Sequence, residues 1–203
     1  MRKLAKVMLY IHGKNGNASE VEKFQKSLTD FDVVRLDYDE YLPWIVKEKI
    51  QVHYEMLKEK YDEVYVLANS IGAYFTIYAL QNKNVEKASF ISPIVDMEKL
   101  IIDMMGWANV TESELYEQKI IATDLGEELS WKYLQFTRDT HINWRVPTEI
   151  LYAENDNLTS LQTITDFAQE RENRRVTVMK NGEHWFHTDE QLLFLNKWLN
   201  KVT

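Results

Sequence analysis

Cysteine is absent from this chain of 203 residues. A protein without thiols has no disulfide, no thiolate metal site and no cysteine nucleophile. Positive charge is also scarce, because 24 Lys and Arg stand against 32 Asp and Glu and give a formal net charge of −8. Binding to the phosphates of nucleic acids or anionic membranes requires clustered Lys and Arg. The composition therefore argues against both kinds of partner.

Long hydrophobic runs are missing too, since no stretch approaches the roughly 20 apolar residues that cross a bilayer. The N-terminal sequence MRKLAKVMLYIHG has early basic residues, but its apolar run of about five residues meets His12-Gly13 instead of a small-residue cleavage site. We expect a strand there, no signal peptide and no membrane insertion, and a cytoplasmic protein.

Glycine and proline are few, at six and three residues, and no linker rich in them divides the chain. A chain of this length buries roughly 70% of its extended surface when it folds as one unit. We therefore expect a single domain over residues 1–203.

Short apolar runs alternate with amphipathic stretches along most of the sequence. The runs are KVMLYI, DVVRL, EVYVLA, KASFIS, EILYA and RVTVM. Alternation of this kind predicts an α/β protein with a mostly parallel sheet of about six strands.

Three helix starts can be predicted locally. Ser19 with Glu22 fits a capping box, and apolar residues follow at helical spacing: Val21, Phe24 and Leu28. A second helix begins near Pro43, and His53 belongs to its apolar stripe, so we interpret His53 as a core or boundary residue. Thr188 and Gln191 are expected to cap the last helix.

Residues 94–145 break the alternation, because they contain helix-prone sequence and no convincing strand. This segment is either a helical lid or a set of crossover helices.

Ser70 lies where a predicted strand changes into a predicted helix, in the sequence VYVLANSIGAYF. A tight turn of this kind thrusts the hydroxyl away from the backbone and tolerates only small neighbours. Ala68, Gly72 and Ala73 supply them, and the string fits the pattern small-x-nucleophile-x-small-small.

On these residues the chain resembles the α/β-hydrolase family over nearly its whole length. It departs from the commonest motif, G-x-S-x-G, in having Ala68 at the first position. The resemblance implies a doubly wound sheet in the order 2-1-3-4-5-6, with helices on both faces and the site at the carboxyl ends of the strands. An ordinary strand-turn-helix junction is the alternative interpretation of Ser70.

The family's acid follows the penultimate strand in a G-x-x-D arrangement. Here Ala153-Glu154-Asn155-Asp156 takes that place, and Asp156 is the predicted acid. An Asx turn or a helix cap is the alternative role for Asp156, and Asp96 is a weaker rival for the acid.

The base is expected after the last strand, where Gly182-Glu183-His184 resembles the family's catalytic turn. His187 is the rival base. The two histidines also suggest a metal site, but no H-E-x-x-H motif or matched carboxylate cluster accompanies them, so we expect no metal.

After the first strand, His12-Gly13-Lys14-Asn15-Gly16 resembles the family's H-G-x-x-G loop. The resemblance implies that the N–H groups of Lys14 and Ile71 form an oxyanion hole and that His12 structures the loop. The loop lacks the spacing of a nucleotide-binding motif.

Taken together, these motifs predict a carboxylesterase-like serine hydrolase that acts on a small acyl substrate without a cofactor, with Ser70, Asp156 and His184 as its triad. A peptidase or an acyltransferase can use the same triad, and a binding module can keep the fold without turnover. If residues 94–145 form a lid, Trp107 and Trp131 are the best candidates to line an acyl pocket.

Overall fold

The computed structural model describes residues 4–124 and 126–203, so the basic residues Arg2 and Lys3 lie outside it. The strands are β1 (Leu4–Ile11), β2 (Asp32–Leu36), β3 (Tyr61–Asn69), β4 (Lys87–Ile91), β5 (Ile120–Ala122), β6 (Glu128–Ser130), β7 (Thr148–Asn155) and β8 (Arg174–Glu183). The helices are α1 (Pro43–Lys60), α2 (Ile71–Leu80), α3 (Met97–Trp107), α4 (Glu112–Gln118), α5 (Trp131–Asp139), α6 (Leu161–Gln169) and α7 (Asp189–Val202).

The main sheet has the order β2-β1-β3-β4-β7-β8, and its neighbouring strands pair in parallel. Each of the six apolar runs lies in one of these strands. The predicted doubly wound α/β sheet is therefore confirmed, including its strand order. Because all strands run the same way, the loops that leave β1, β3, β7 and β8 emerge at one edge.

Helices cover both faces of this sheet. Met8 and Tyr10 of β1 belong to a core that also contains Leu195 and Trp198 of α7. On the other face, Ile150 and Tyr152 pack against α6, and α1 and α2 pack against each other and against β1 and β3. Burial on both faces explains why the central strands β1, β3, β4 and β7 read as continuous apolar runs.

The first predicted helix is wrong. Residues 18–23 and 25–27 form two short 3₁₀ turns, and their cap is Asn17, whose Oδ1 accepts the N–H of Ser19 at 2.9 Å. Ser19 lies inside the first turn and bonds back to Asn17 through its hydroxyl, so it does not cap a helix. The apolar residues expected to face the core are nevertheless buried, namely Val21, Phe24 and Leu28.

The other two helix starts are confirmed. Pro43 is the first residue of α1, and Thr188 caps α7 by accepting the N–H of Gln191 at 3.2 Å. The side-chain oxygen of Gln191 accepts the N–H of His187 at 3.0 Å. His53 is half-buried in α1, and its Nδ1 lies 2.9 Å from the carbonyl oxygen of Lys49.

The chain divides into two compact units, and Asp96–Ile142 forms the smaller one. The expectation that this region lacks strands is wrong, because β5 and β6 pair as an antiparallel hairpin. Each has three residues, which is too short for an alternating pattern to stand out. Within this unit Arg138 forms ion pairs with Glu98 and Glu112 at 2.8 and 2.6 Å and so links α5 to α3 and α4.

Among the residues that the structure describes, no helix is both long and apolar enough to span a membrane.

Candidate active site

Ser70 occupies a strained turn between β3 and α2. Its φ of 52° and ψ of −123° lie in a region that residues with a side chain rarely adopt. Three backbone hydrogen bonds hold the turn: the N–H of Ser70 donates to Ile91 O at 2.9 Å, and Ser70 O accepts from Ala73 N–H and Ile94 N–H at 3.0 and 3.1 Å. The strain is thus imposed by the surrounding sheet, which fixes the direction of the hydroxyl.

The small neighbours of Ser70 allow the loop after β1 to approach it closely. A Cβ on Gly72 would lie 2.5 Å from the carbonyl oxygen of His12 and 2.8 Å from that of Ile11. A Cβ on Gly13 would lie 3.1 Å from the Cβ of Ser70. Larger side chains at 13 or 72 would therefore push the loop away from the serine.

Two hydrogen bonds join Ser70, His184 and Asp156 into one chain. His184 Nε2 lies 2.8 Å from Ser70 Oγ, and His184 Nδ1 lies 2.7 Å from Asp156 Oδ2. Because the carboxylate accepts the Nδ1 proton, Nε2 keeps a lone pair toward the serine hydroxyl. The imidazole is thus oriented to take the hydroxyl proton.

The pairing of β7 with β8 brings the acid and the base side by side. A bulge near the end of β8 shifts the register, after which Asn155 pairs with Glu183. Asn181 within the bulge has a φ of 54°. Asp156 and His184 directly follow the last pair, so both leave the sheet at the same point.

Asp156 uses both oxygens of its carboxylate. Oδ1 accepts the N–H groups of Leu158 and Thr159 at 2.8 and 3.1 Å, and Oδ2 faces the imidazole. The side chain is fully buried, and together with burial its charge raises the pKa of Tyr152. The Asx turn considered as an alternative to the acid role is therefore present beside the contact with His184.

The rival residues His187 and Asp96 have other hydrogen-bond partners. His187 Nδ1 is 2.6 Å from Trp185 O and 3.7 Å from Glu183 Oε2. Asp96 caps α3, where its Oδ1 accepts the N–H of Lys99 at 2.9 Å. The described residues contain no group of three or more His, Cys, Asp or Glu side chains arranged to hold a metal ion.

His12 is buried under the loop that follows β1. Its Nδ1 lies 2.8 Å from Gly13 O, and its Nε2 accepts the N–H of Tyr38 at 3.4 Å. The ring of Tyr38 stacks on the imidazole with centroids 4.1 Å apart, and the tyrosine hydroxyl donates to His12 O. These contacts fit a structural role for His12 in the loop.

The two predicted oxyanion donors belong to different segments, α2 and the loop after β1. Ile71 is the first residue of α2, where backbone N–H groups have no partner within the helix. Lys14 belongs to the loop, which is closed by a bond from Gly16 N–H to Gly13 O at 3.2 Å. The oxyanion role of both N–H groups stays a prediction.

Tyr38 and Tyr41 support this loop and were missed by sequence reasoning. The hydroxyl of Tyr41 accepts the N–H of Asn15 at 3.0 Å, and the Lys14 ammonium lies 5.8 Å from the Tyr41 ring centroid. The sequence offered one clue to this role: both tyrosines come shortly after β2, the strand that pairs with β1.

The two predicted pocket residues belong to the smaller unit. Trp107 ends α3 with 47% of its surface exposed. Trp131 begins α5, and its ring meets that of Tyr116 edge-on at 5.1 Å. Their role in binding an acyl group stays a prediction.

Comparison with solved structures places the fold. Est1E from Butyrivibrio proteoclasticus is similar with a TM-score of 0.78 at 13% identity, over 98% of this chain and 87% of that one. Mouse alpha/beta hydrolase domain-containing protein 10 gives 0.73 at 13%, over 96% and 88%. A monoacylglycerol lipase from Paleococcus ferrophilus gives 0.64 at 14%, over 97% and 94%. No protein-family model and no curated protein matches the sequence. The chain has the α/β-hydrolase fold.

Proposed function

We propose that this protein is a serine hydrolase that cleaves a small ester or thioester and uses no cofactor. The observation that carries the proposal is the continuous chain from Ser70 Oγ through His184 to Asp156 Oδ2, with contacts of 2.8 and 2.7 Å. A serine hydroxyl is a weak nucleophile, and an imidazole oriented by a carboxylate activates it. Because one fold hosts many activities, the proposal rests on this site.

In the first half of the reaction, Ser70 Oγ attacks the carbonyl carbon while its proton passes to His184 Nε2. Asp156 keeps the Nδ1 proton in place and stabilises the imidazolium that forms. The N–H groups of Lys14 and Ile71 bind the negative oxygen of the tetrahedral intermediate. His184 then delivers its proton to the leaving group, and the acyl group stays on Ser70.

In the second half, water takes the place of the leaving group. His184 removes a proton from the water as it attacks the acyl carbon, and returns the proton to Ser70 Oγ as the acid departs. Each step uses the same hydrogen-bonded chain, so loss of His184 or Asp156 affects both halves of the reaction.

The fold neighbours guide the choice of substrates for a test. One structure of Est1E contains ferulic acid, at a TM-score of 0.79 and 12% identity to this chain. Esters of aromatic acids therefore belong in a panel beside short and long aliphatic esters, thioesters and glycerol esters. Peptides and added alcohol acceptors in the same panel test the peptidase and acyltransferase alternatives.

The decisive experiment combines a fluorophosphonate probe with this panel. We expect the probe to label Ser70 alone, because only an activated hydroxyl reacts quickly. Ser70→Ala should abolish labelling and lower turnover by roughly 10⁴-fold. Labelling or turnover that survives in Ser70→Ala would exclude this serine as the nucleophile.

The two histidines of the last loop provide a matched pair of variants. His184→Ala should lower turnover about as much as Ser70→Ala, because no other imidazole contacts Ser70 Oγ among the described residues. His187→Ala should retain most of the activity, since His187 bonds to Trp185 O and not to the serine. The reverse ranking would transfer the role of base to His187.

A further inference from the structure

A path of contacts leads from the strand before Ser70 to a carboxylate in the first 3₁₀ turn. Tyr10 of β1 is fully buried, and its hydroxyl donates to Glu20 Oε2 at 3.1 Å. Tyr10 pairs with Leu67 of β3. That strand ends at Asn69, which directly precedes Ser70, so the path begins beside the nucleophile turn.

The path continues from Glu20 into the loop after β1. A Cβ on Gly16 would lie 2.9 Å from both carboxylate oxygens of Glu20, so the carboxylate lies directly against this glycine. The N–H of Gly16 donates to Gly13 O at 3.2 Å and closes the loop. A Cβ on Gly13 would lie 3.1 Å from the Cβ of Ser70. The path thus returns to Ser70 from the loop side.

The buried hydroxyl at the centre of this path is a permanent donor. Burial and the charge of Glu20 both raise the pKa of Tyr10 far above its ordinary value. The hydroxyl therefore keeps its proton throughout the working range of an enzyme. Its one proton goes to Glu20 Oε2.

We propose that Tyr10 and Glu20 are positioning residues that fix the distance between the loop after β1 and the turn at Ser70. The inference rests on the proposed function, because the two segments carry the donors assigned to the oxyanion hole, Lys14 and Ile71. Both N–H groups must reach one oxygen atom in the transition state. A displacement of about 1 Å can cost roughly a hundredfold in rate.

A purely electrostatic role for Glu20 predicts the opposite sign. A carboxylate near an oxyanion hole disfavours the negative intermediate, so removing its charge would speed the reaction. A positioning role depends on the acceptor oxygen instead. Glu20→Gln separates the two, because the amide oxygen still accepts the Tyr10 hydroxyl but carries no charge.

The experiment measures kcat and KM on an activated ester for Tyr10→Phe, Glu20→Ala and Glu20→Gln, with Tyr65→Phe as the control. Tyr65 donates to Glu63 Oε2 at 2.8 Å, which is the same kind of pair outside the path. Thermal unfolding of each variant is measured alongside.

We expect Tyr10→Phe and Glu20→Ala each to lower kcat about tenfold with KM changed less than twofold, which corresponds to about 1.4 kcal/mol in the barrier. Glu20→Gln should stay within about threefold of the unaltered protein, and Tyr65→Phe should keep its kcat. The double variant Tyr10→Phe/Glu20→Ala should again lose about tenfold and not a hundredfold, because both changes break one path.

Unchanged kcat in Tyr10→Phe and Glu20→Ala would overturn the positioning role, and so would an equal loss in Tyr65→Phe or in Glu20→Gln. If Tyr10→Phe does not fold, Glu20→Ala and Glu20→Gln decide the question, because the side chain of Glu20 is half-exposed and its replacement should be tolerated. Ser70→Ala distinguishes the two proposals. If Ser70→Ala remains active, the proposed function fails and the positioning role fails with it. If Ser70→Ala is inactive while Tyr10→Phe and Glu20→Ala keep their kcat, the positioning role alone fails.

Discussion

The two oxygens of the Asp156 carboxylate accept hydrogen bonds from different partners. Oδ1 holds the turn through the N–H groups of Leu158 and Thr159, and Oδ2 accepts the Nδ1 proton of His184. An asparagine at this position has one oxygen and one NH₂ group, so it can accept the turn N–H groups or the Nδ1 proton, but not both.

We therefore predict that Asp156→Asn folds but loses activity. The amide oxygen should stay with the two N–H donors of the turn, which leaves the NH₂ group facing His184. The imidazole then has its proton on Nε2 and cannot accept from Ser70, so kcat should fall by roughly 10⁴-fold. Steady-state kinetics and thermal unfolding check this. A loss smaller than tenfold would mean that another acid orients the base.

At the scale of single residues, the sequence identified the three side chains that the structure joins by hydrogen bonds. Ser70, Asp156 and His184 each follow a strand, in the chain order typical of this fold. Tyr38 and Tyr10 were not identified. Tyr38 contacts His12 across 26 positions of sequence, and only the assembled sheet brings such residues together.

The junction of β3 and α2 has a glycine, Gly72, where the loop after β1 comes closest to it. A Cβ on Gly72 would lie 2.5 Å from a backbone oxygen, that of His12, whereas a Cβ on Gly106 in α3 has no neighbour within 4 Å. These two helical glycines therefore form a matched pair for substitution.

We predict that Gly72→Ala destabilises the protein by roughly 1–3 kcal/mol, because the loop after β1 must move. Its kcat should fall as well, since that loop carries Lys14. Gly106→Ala should be neutral or stabilise by roughly 0.5–1 kcal/mol, as alanine restricts the unfolded chain. Urea unfolding and ester kinetics measure both. Equal stability of the two variants would contradict the close approach.

Elements were predictable where one pattern dominated. The central strands of the main sheet are buried on both faces and read as apolar runs. Helices α1 and α7 carry a local start at Pro43 and Thr188. The segment after β1 was predicted wrongly because its apolar spacing suits both an α-helix and successive 3₁₀ turns. The cap in the structure is Asn17 and not Ser19. The short hairpin of β5 and β6 had no pattern to read.

At the scale of the whole molecule, the Ser70, His184 and Asp156 chain lies entirely in the larger unit, and Trp107 and Trp131 lie in the smaller one. The sequence predicts that these two tryptophans bind the acyl group, and in that case replacing either should change substrate preference without abolishing turnover. The exposed Trp107 is the cleaner test, because exposed positions contribute little to stability.

We predict that Trp107→Ala shifts the preferred acyl chain length, while its free energy of unfolding stays within about 0.5 kcal/mol. The comparison uses kcat/KM for a series of esters with one alcohol and increasing acyl length. Trp144→Ala is the control, since Trp144 is buried in the larger unit and should mainly lose stability. An unchanged length preference in Trp107→Ala would remove this residue from the pocket.

The contact of 2.8 Å between Ser70 Oγ and His184 Nε2 has a practical consequence in a chain that contains no cysteine. Ser70→Cys would create the only thiol in the molecule and place it beside the imidazole. Paired with an imidazolium, a thiol ionises at a lower pH than a free one, and the thiolate reacts readily with alkylating reagents. The pH dependence of alkylation at this single sulfur would therefore report the ionisation of the thiol beside the imidazole, with no background from the rest of the protein and no need for a substrate.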